Sequence, residues 1–328
     1  MKQMIQGFSD QLREAIQIGN NAKLSSPEKD IHNVLITGMG GSGIGANFVQ
    51  SLVSNSCPVP ITVIKGYSVP SFVGPHTLTI ASSYSGNTEE TLACFEQSIE
   101  QGAKVVVVSS GGKMIEKAKE LDLDYIQLPS GWTSPRACLG FSLVQQLFIL
   151  KAMGLIGGEL LNNVSAAIDL IEKEQEDIRQ RAEYVAMYLE GKTPVIYCMD
   201  SIEPVGMRFR QQLNENAKVL CWHHVVPEMN HNELVGWFDQ RPDIAVVILR
   251  NRDDYARNQV RLDISKEIIG DRSSTLIELF SKGNSLMERC LYLVHLVDWV
   301  SLYLAEIRGV DPIQIKVIDY LKEELSKV

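Results

Sequence analysis

From Val34 onward the chain carries short unbroken apolar runs: Val34–Thr37, Ile61–Ile64, Leu78–Ala81, Val105–Val108 and Tyr125–Leu128. Gly-, Pro- and Ser-bearing turns and segments with helical periodicity separate them. Runs without polar alternation belong to strands buried on both faces, hence to a parallel sheet covered by helices. After a polar, heptad-like stretch from about residue 159 to 190, the theme returns at Pro194–Cys198, Val219–Trp222, Ile244–Leu249 and Thr275–Phe280. The pattern predicts an α/β protein of two doubly wound units, each a parallel sheet with helices on both faces. An N-terminal helix plus the first unit spans 1–155, and a helical connector plus the second spans 156–328.

At the N-terminus, Ile5, Phe8, Leu12 and Ile16 fall at helical spacing, while Asp10, Arg13 and Glu14 interrupt any apolar stretch. This predicts an amphipathic helix, not an export signal. The most apolar late segment, Leu286–Ile307, holds Glu288, Arg289, His295, Asp298 and Glu306, each costly in a bilayer, and reads as a core helix.

Composition narrows the partners. With 45% apolar and 22% charged residues, the 328-residue chain is an ordinary globule of about two domains. A net charge of −9 disfavours general affinity for nucleic acid or anionic membrane, so an anionic ligand must be held locally. The six cysteines lie far apart with no CxxC or CxxH pairing, which removes the usual zinc signature and a dense disulfide framework. Reduced core thiols in a cytoplasmic protein are expected. Between Asp30 and Glu89 the chain has no Asp or Glu in 58 residues, where its average frequency would give about seven.

Two loops occupy that acid-free stretch. Gly38-Met39-Gly40-Gly41-Ser42-Gly43-Ile44-Gly45 follows the first run and lets backbone N–H groups approach an anion at a helix start. Gly38, Gly40 and Gly43 also match a dinucleotide fingerprint, but the second run ends at Lys65-Gly66 with no acid to hold a ribose. Ser82-Ser83-Tyr84-Ser85-Gly86-Asn87-Thr88 follows the third run and leads into another helix. Asn87 with Glu90 has the form of a capping box, which leaves Ser83, Ser85 and Thr88 to face Ser42 as phosphate ligands.

These two loops resemble the sugar isomerase (SIS) domain, a phosphosugar-binding, flavodoxin-like fold. Pro135-Arg136-Ala137, Asn214-Glu215-Asn216, the segment Pro227–Glu233 and the tail Arg308–Pro312 with Leu321-Lys322 are similar to the bifunctional phosphoglucose/phosphomannose isomerase family, which has two SIS units. Where that family often carries Thr or Pro, the tail here reads Asp311-Pro312-Ile313-Gln314-Ile315-Lys316.

The resemblance implies isomerisation of glucose 6-phosphate and mannose 6-phosphate to fructose 6-phosphate in central carbohydrate metabolism. It implies neither metal nor cofactor, and a homodimer in which the partner contributes the histidine. Phosphate would be held by Gly41, Ser42, Ser83, Ser85 and Thr88. His231 and Lys322 would open the ring, with Lys316 the competing lysine, and Glu215 would then move a proton between C2 and C1.

The residue types suit these roles. A carboxylate can take and return a proton on one face of a planar enediol, and an imidazole with a pKa near neutrality can serve ring opening. Arg136, at the first turn of an apolar helix where the dipole disfavours a cation, calls for a nearby anion, with a surface carboxylate as the plainer partner. His223 and His224 are expected to be structural. Because the catalytic groups fall in both halves, the site is expected between the two units. The competing readings are another SIS isomerase acting on an aminosugar or pentose phosphate, and a non-catalytic phosphosugar regulator.

Overall fold

The computed structural model describes residues 1–327. Two compact units emerge, one of residues 6–172 with 285–288, the other of residues 1–5, 173–284 and 289 onward. They are described separately as the N-terminal and C-terminal units.

The chain begins with two helices, α1 (Lys2–Gln6) and α2 (Phe8–Asn21), rather than one. The N-terminal unit continues with β1 (Asn33–Thr37), α3 (Gly40–Leu52), β2 (Ile61–Ile64), β3 (Thr77–Ser82), α4 (Glu89–Glu100), β4 (Lys104–Ser109), α5 (Gly112–Glu120), β5 (Asp124–Gln127) and α6 (Leu139–Ala152). All five strands are parallel in the order β2-β1-β3-β4-β5, with Leu35 of β1 paired to both Thr62 and Thr79. The order reverses direction at β1 and β3, so the loops after these two strands leave the same sheet end on opposite sides of a crevice.

Helix α6 is buried from Leu139 to Leu150, which accounts for its lack of a polar face. On α2 the buried stripe is Phe8, Leu12, Ala15 and Gly19, with Ile16 only half-buried. Small residues let α2 approach α6, where Gln11 donates to the Ala137 carbonyl at 2.7 Å and accepts from the Gly140 N–H at 2.8 Å.

Helix α7 (Glu159–Leu189) is the expected connector, formed as one 31-residue helix. Beyond it come β6 (Thr193–Met199), α8 (Glu203–Glu215), β7 (Trp222–Val226), β8 (Ile244–Arg250), α9 (Ala256–Gly270), β9 (Thr275–Phe280), α10 (Leu286–Ile307) and α11 (Lys316–Leu325). Four parallel strands run in the order β7-β6-β8-β9.

The strand expected at Val219–Trp222 lies instead at Trp222–Val226, with Val195 paired to Trp222 and Met199 to Val226. As the sheet's edge, β7 is only half-buried, so its polar His223-His224 pair hides the strand, while the apolar Leu220 before it is 87% exposed. Of the polar residues that argued against a membrane span in α10, Glu306 is exposed and Asp298 is matched inside the fold. Asp298 accepts from Arg208 Nε at 3.0 Å, Arg208 Nη2 at 2.6 Å and Gln212 Nε2 at 3.0 Å.

Candidate active site

After β1 the backbone turns through Gly38 and Met39 directly into α3. No side chain caps this helix, and its first turn holds no acid. A Cβ on Gly41 would stand 2.7 Å from the Pro135 carbonyl oxygen and 3.1 Å from Arg136 Cα, so only glycine lets the short 3-10 turn Pro135–Cys138 lie against the loop. Arg136 on that turn is 6% exposed, and Ser42, also buried, receives a hydrogen bond on its carbonyl from Ser142 Oγ at 3.2 Å. The fold thus brings Arg136 against the uncapped start of α3, 95 residues away from Gly41 in sequence.

The loop after β3 supplies the opposite wall. Ser83 Oγ and Thr88 Oγ1 lie 2.8 Å apart, Ser83 Oγ accepts from the Gly86 N–H at 3.2 Å, and Ser85 Oγ accepts from the Asn87 N–H at 3.3 Å. Gly86 has φ 68°, and a Cβ there would stand 1.8 Å from the Gly111 carbonyl oxygen. The expected Asn87–Glu90 capping box does not form: α4 starts one residue later, with Thr88 at its cap, and Asn87 Oδ1 accepts from the Lys113 N–H at 3.1 Å. Asn87 therefore ties this loop to the start of α5.

Lys65 is a member of this neighbourhood that sequence reasoning passed over. Its Cε lies 3.2 Å from where a Cβ on Gly43 would stand, and its ammonium donates to Asn47 Oδ1 on α3. The available signal was that residues 31–88 contain one Lys, no Arg and no acid.

In the C-terminal unit, Glu215 is the last residue of α8 and half-buried. Its flanking asparagines hold the helix end, Asn214 Nδ2 donating to the Val219 carbonyl at 2.7 Å and Asn216 Nδ2 to Ser301 Oγ at 2.9 Å. Glu215 lines a largely apolar cavity of about 450 Å³ together with Val219, Ile315, Lys316 and Ile318. Lys316, exposed at the start of α11, shares that wall, whereas Lys322, also exposed, lies off it in the last turn, roughly 9 Å further along the helix axis.

His231 ends the 3-10 turn Glu228–His231 and is exposed. The two neighbouring histidines have carboxylates: His224 Nδ1 lies 2.6 Å from Glu233 Oε2, and His223 Nε2 lies 3.8 Å from Glu203 Oε1. Burial alone would push the Glu233 carboxyl up, but hydrogen bonds from Trp222, Tyr197 and His224 hold it below the usual carboxylate range. None of the six cysteines is in a disulfide. Burial pushes the Cys221 thiol up to about 11 and that of Cys290 to about 12, so neither is a thiolate nucleophile at neutral pH. Among the described residues no three His, Cys, Asp or Glu side chains are grouped as metal ligands.

Paired parallel sheets with a glycine loop and a hydroxyl loop at one switch point define a SIS-type phosphosugar protein. Residues 178–325 match the bacterial phospho-glucose isomerase C-terminal SIS domain. The C-terminal domain of glucosamine-fructose-6-phosphate aminotransferase from Francisella tularensis superposes with a TM-score of 0.77, at 14% identity, over 95% of this chain and 97% of that one. The chain is 36% identical to a bifunctional phosphoglucose/phosphomannose isomerase of Caldicellulosiruptor bescii, over 100% of this chain and 99% of the relative. It is 37% identical to the protein of the same name from Aquifex aeolicus, over 99% and 98% of the two chains. The chain belongs to the bifunctional phosphoglucose/phosphomannose isomerase family.

Proposed function

We propose that the protein is an aldose–ketose isomerase interconverting glucose 6-phosphate and mannose 6-phosphate with fructose 6-phosphate. The full-length likeness to isomerases of that name carries this reading. The uncapped start of α3 beside buried Arg136, in a stretch free of acids, supports the phosphate part of it.

In this mechanism Gly41 and Ser42, with Ser83, Ser85 and Thr88, hold the phosphate through N–H and O–H donors. His231 and Lys322 open the ring by moving a proton between O1 and the ring oxygen. The Glu215 carboxylate then removes the C2 proton of the open aldose and returns it to C1 of the cis-enediol, whose charge Arg136 offsets. A specific observation favours Lys316 as a second reading for the lysine, since it lines the cavity with Glu215.

The reaction uses no metal or cofactor, and the enzyme is a cytoplasmic homodimer whose partner subunit supplies the histidine. Assays of both aldose phosphates for fructose 6-phosphate, run with a chelator, test this. Turnover of both is expected to persist, and Glu215→Gln to lower it by about 10²–10⁴ while sugar-phosphate binding remains. Activity only on an aminosugar or pentose phosphate, or tight binding without proton exchange at C1 or C2, would replace this reading with one of its competitors.

A further inference from the structure

In the segment from Pro227 to Trp237, the polar side chains from Glu228 to Glu233 are anchored except the one expected to do chemistry. Met229 is fully buried, Asn230 Nδ2 donates to Ser265 Oγ at 2.8 Å, and Asn232 Nδ2 donates to Glu228 Oε1 at 2.8 Å. Asn232 Oδ1 also accepts from the Glu233 N–H at 2.6 Å. Among the described residues, His231 alone of the polar side chains from 228 to 233 makes no hydrogen bond.

Glu233 is the hub of the anchoring. Its Oε1 accepts from Tyr197 O–H at 2.6 Å and from Trp222 Nε1 at 2.9 Å, and its Oε2 lies 2.6 Å from His224 Nδ1. Tyr197 in turn accepts from Trp237 Nε1 at 2.9 Å, so the far end of the segment is fastened to the same group. Trp222 and His224 are two residues apart on β7 and so share a face, both reaching the carboxylate. One carboxylate, two residues from His231, thus gathers donors from β6 and β7.

We propose that Glu233 is a positioning residue for His231, fixing the turn that presents the imidazole for sugar ring opening. This rests on the ring-opening role given to His231 above. An exposed histidine on a short turn has many orientations, and restricting them is what proximity catalysis requires. A carboxylate suits the hub because its two oxygens can accept several donors at once.

Ring opening can be read apart from isomerisation, because the α and β anomers of glucose 6-phosphate interconvert only through the open chain. NMR exchange between the anomers, with kcat, KM and melting temperature, is measured for wild type, His231→Ala, Glu233→Gln, Tyr197→Phe and Trp222→Phe. The expected result is that enzyme-catalysed anomer exchange and kcat fall together, by about tenfold to 10²-fold in Glu233→Gln and less in the single-donor variants, with KM within about twofold. Trp222→Phe, at a partly exposed edge position, serves if Glu233→Gln fails to fold.

The inference is overturned if anomer exchange stays at the wild-type rate in these variants while His231→Ala abolishes it. It is also overturned if kcat, KM and melting temperature worsen together without a selective loss of exchange. A wild type that performs no isomerisation refutes the functional reading instead, and normal exchange in His231→Ala refutes the histidine's role.

Discussion

Lys316 and Lys322 have the same chemistry, and only the helix that carries them separates their roles. Both are exposed, but the first stands on the wall of the Glu215 cavity and the second lies off it, more than a turn and a half later. Replacing each in turn by Met removes the ammonium while keeping the stem. If Lys322 opens the ring, Lys322→Met loses kcat by tenfold or more and Lys316→Met changes little; the reverse pattern assigns the step to Lys316. Steady-state kinetics of the two variants on glucose 6-phosphate decides between them. Arg136 shows the same dependence on placement. Its sequence neighbours mark a cation at a helix start, but its burial against Gly41 comes from a contact no local pattern contains.

At the scale of elements, α10 shows how a nearly apolar helix can carry buried polar groups. Asp298 is satisfied by Arg208 and Gln212, both from α8, so the pair locks two helices together. Three residues before it, His295 accepts from Trp299 Nε1 at 3.1 Å and is held neutral, burial pushing its pKa down from 6.5 to about 3. The linkage has a definite sign. Above about pH 6.5 the imidazole is neutral in both folded and unfolded chains. Below that the unfolded chain takes a proton that the folded one refuses, and stability falls until the pH nears 3. This single group contributes a slope of up to about 1.4 kcal/mol per pH unit in that window. His295→Gln, which keeps an acceptor for Trp299, is expected to flatten the acid limb by about one proton in denaturant melts taken across pH. An unchanged slope would mean that the imidazole titrates normally in the fold.

For the whole molecule, the proposed dimer makes a prediction that no monomer can imitate. His231 is exposed, as are Val235 and Phe238 nearby, at 80% and 79%. If the histidine acts in the partner subunit's site, mixing the separately inactive Glu215→Gln and His231→Ala chains restores activity, because one site of each hybrid keeps both groups. If it acts in its own subunit's site, the mixture stays inactive. Assay after unfolding and refolding the two together distinguishes the outcomes.

The sequence by itself determined the α/β class, eight of the nine strands, the buried status of α10, and the glycine and hydroxyl loops that follow β1 and β3. Each follows from local rules: unbroken apolar runs for buried strands, glycine and hydroxyl clusters at helix starts, and charges that a bilayer would not accept. The motifs also carried the family, because their order and spacing together are specific even where each is short. Tertiary structure decided what depends on long-range neighbours. It set β7 at a half-exposed edge where hydropathy is a poor guide, and moved the cap of α4 from Asn87 to Thr88. It laid Lys65 beside the glycine loop, put Lys316 with Glu215, and gathered three side chains around Glu233. Pairings of this kind arise from packing between distant segments, which apolar periodicity records only as burial and never as a partner.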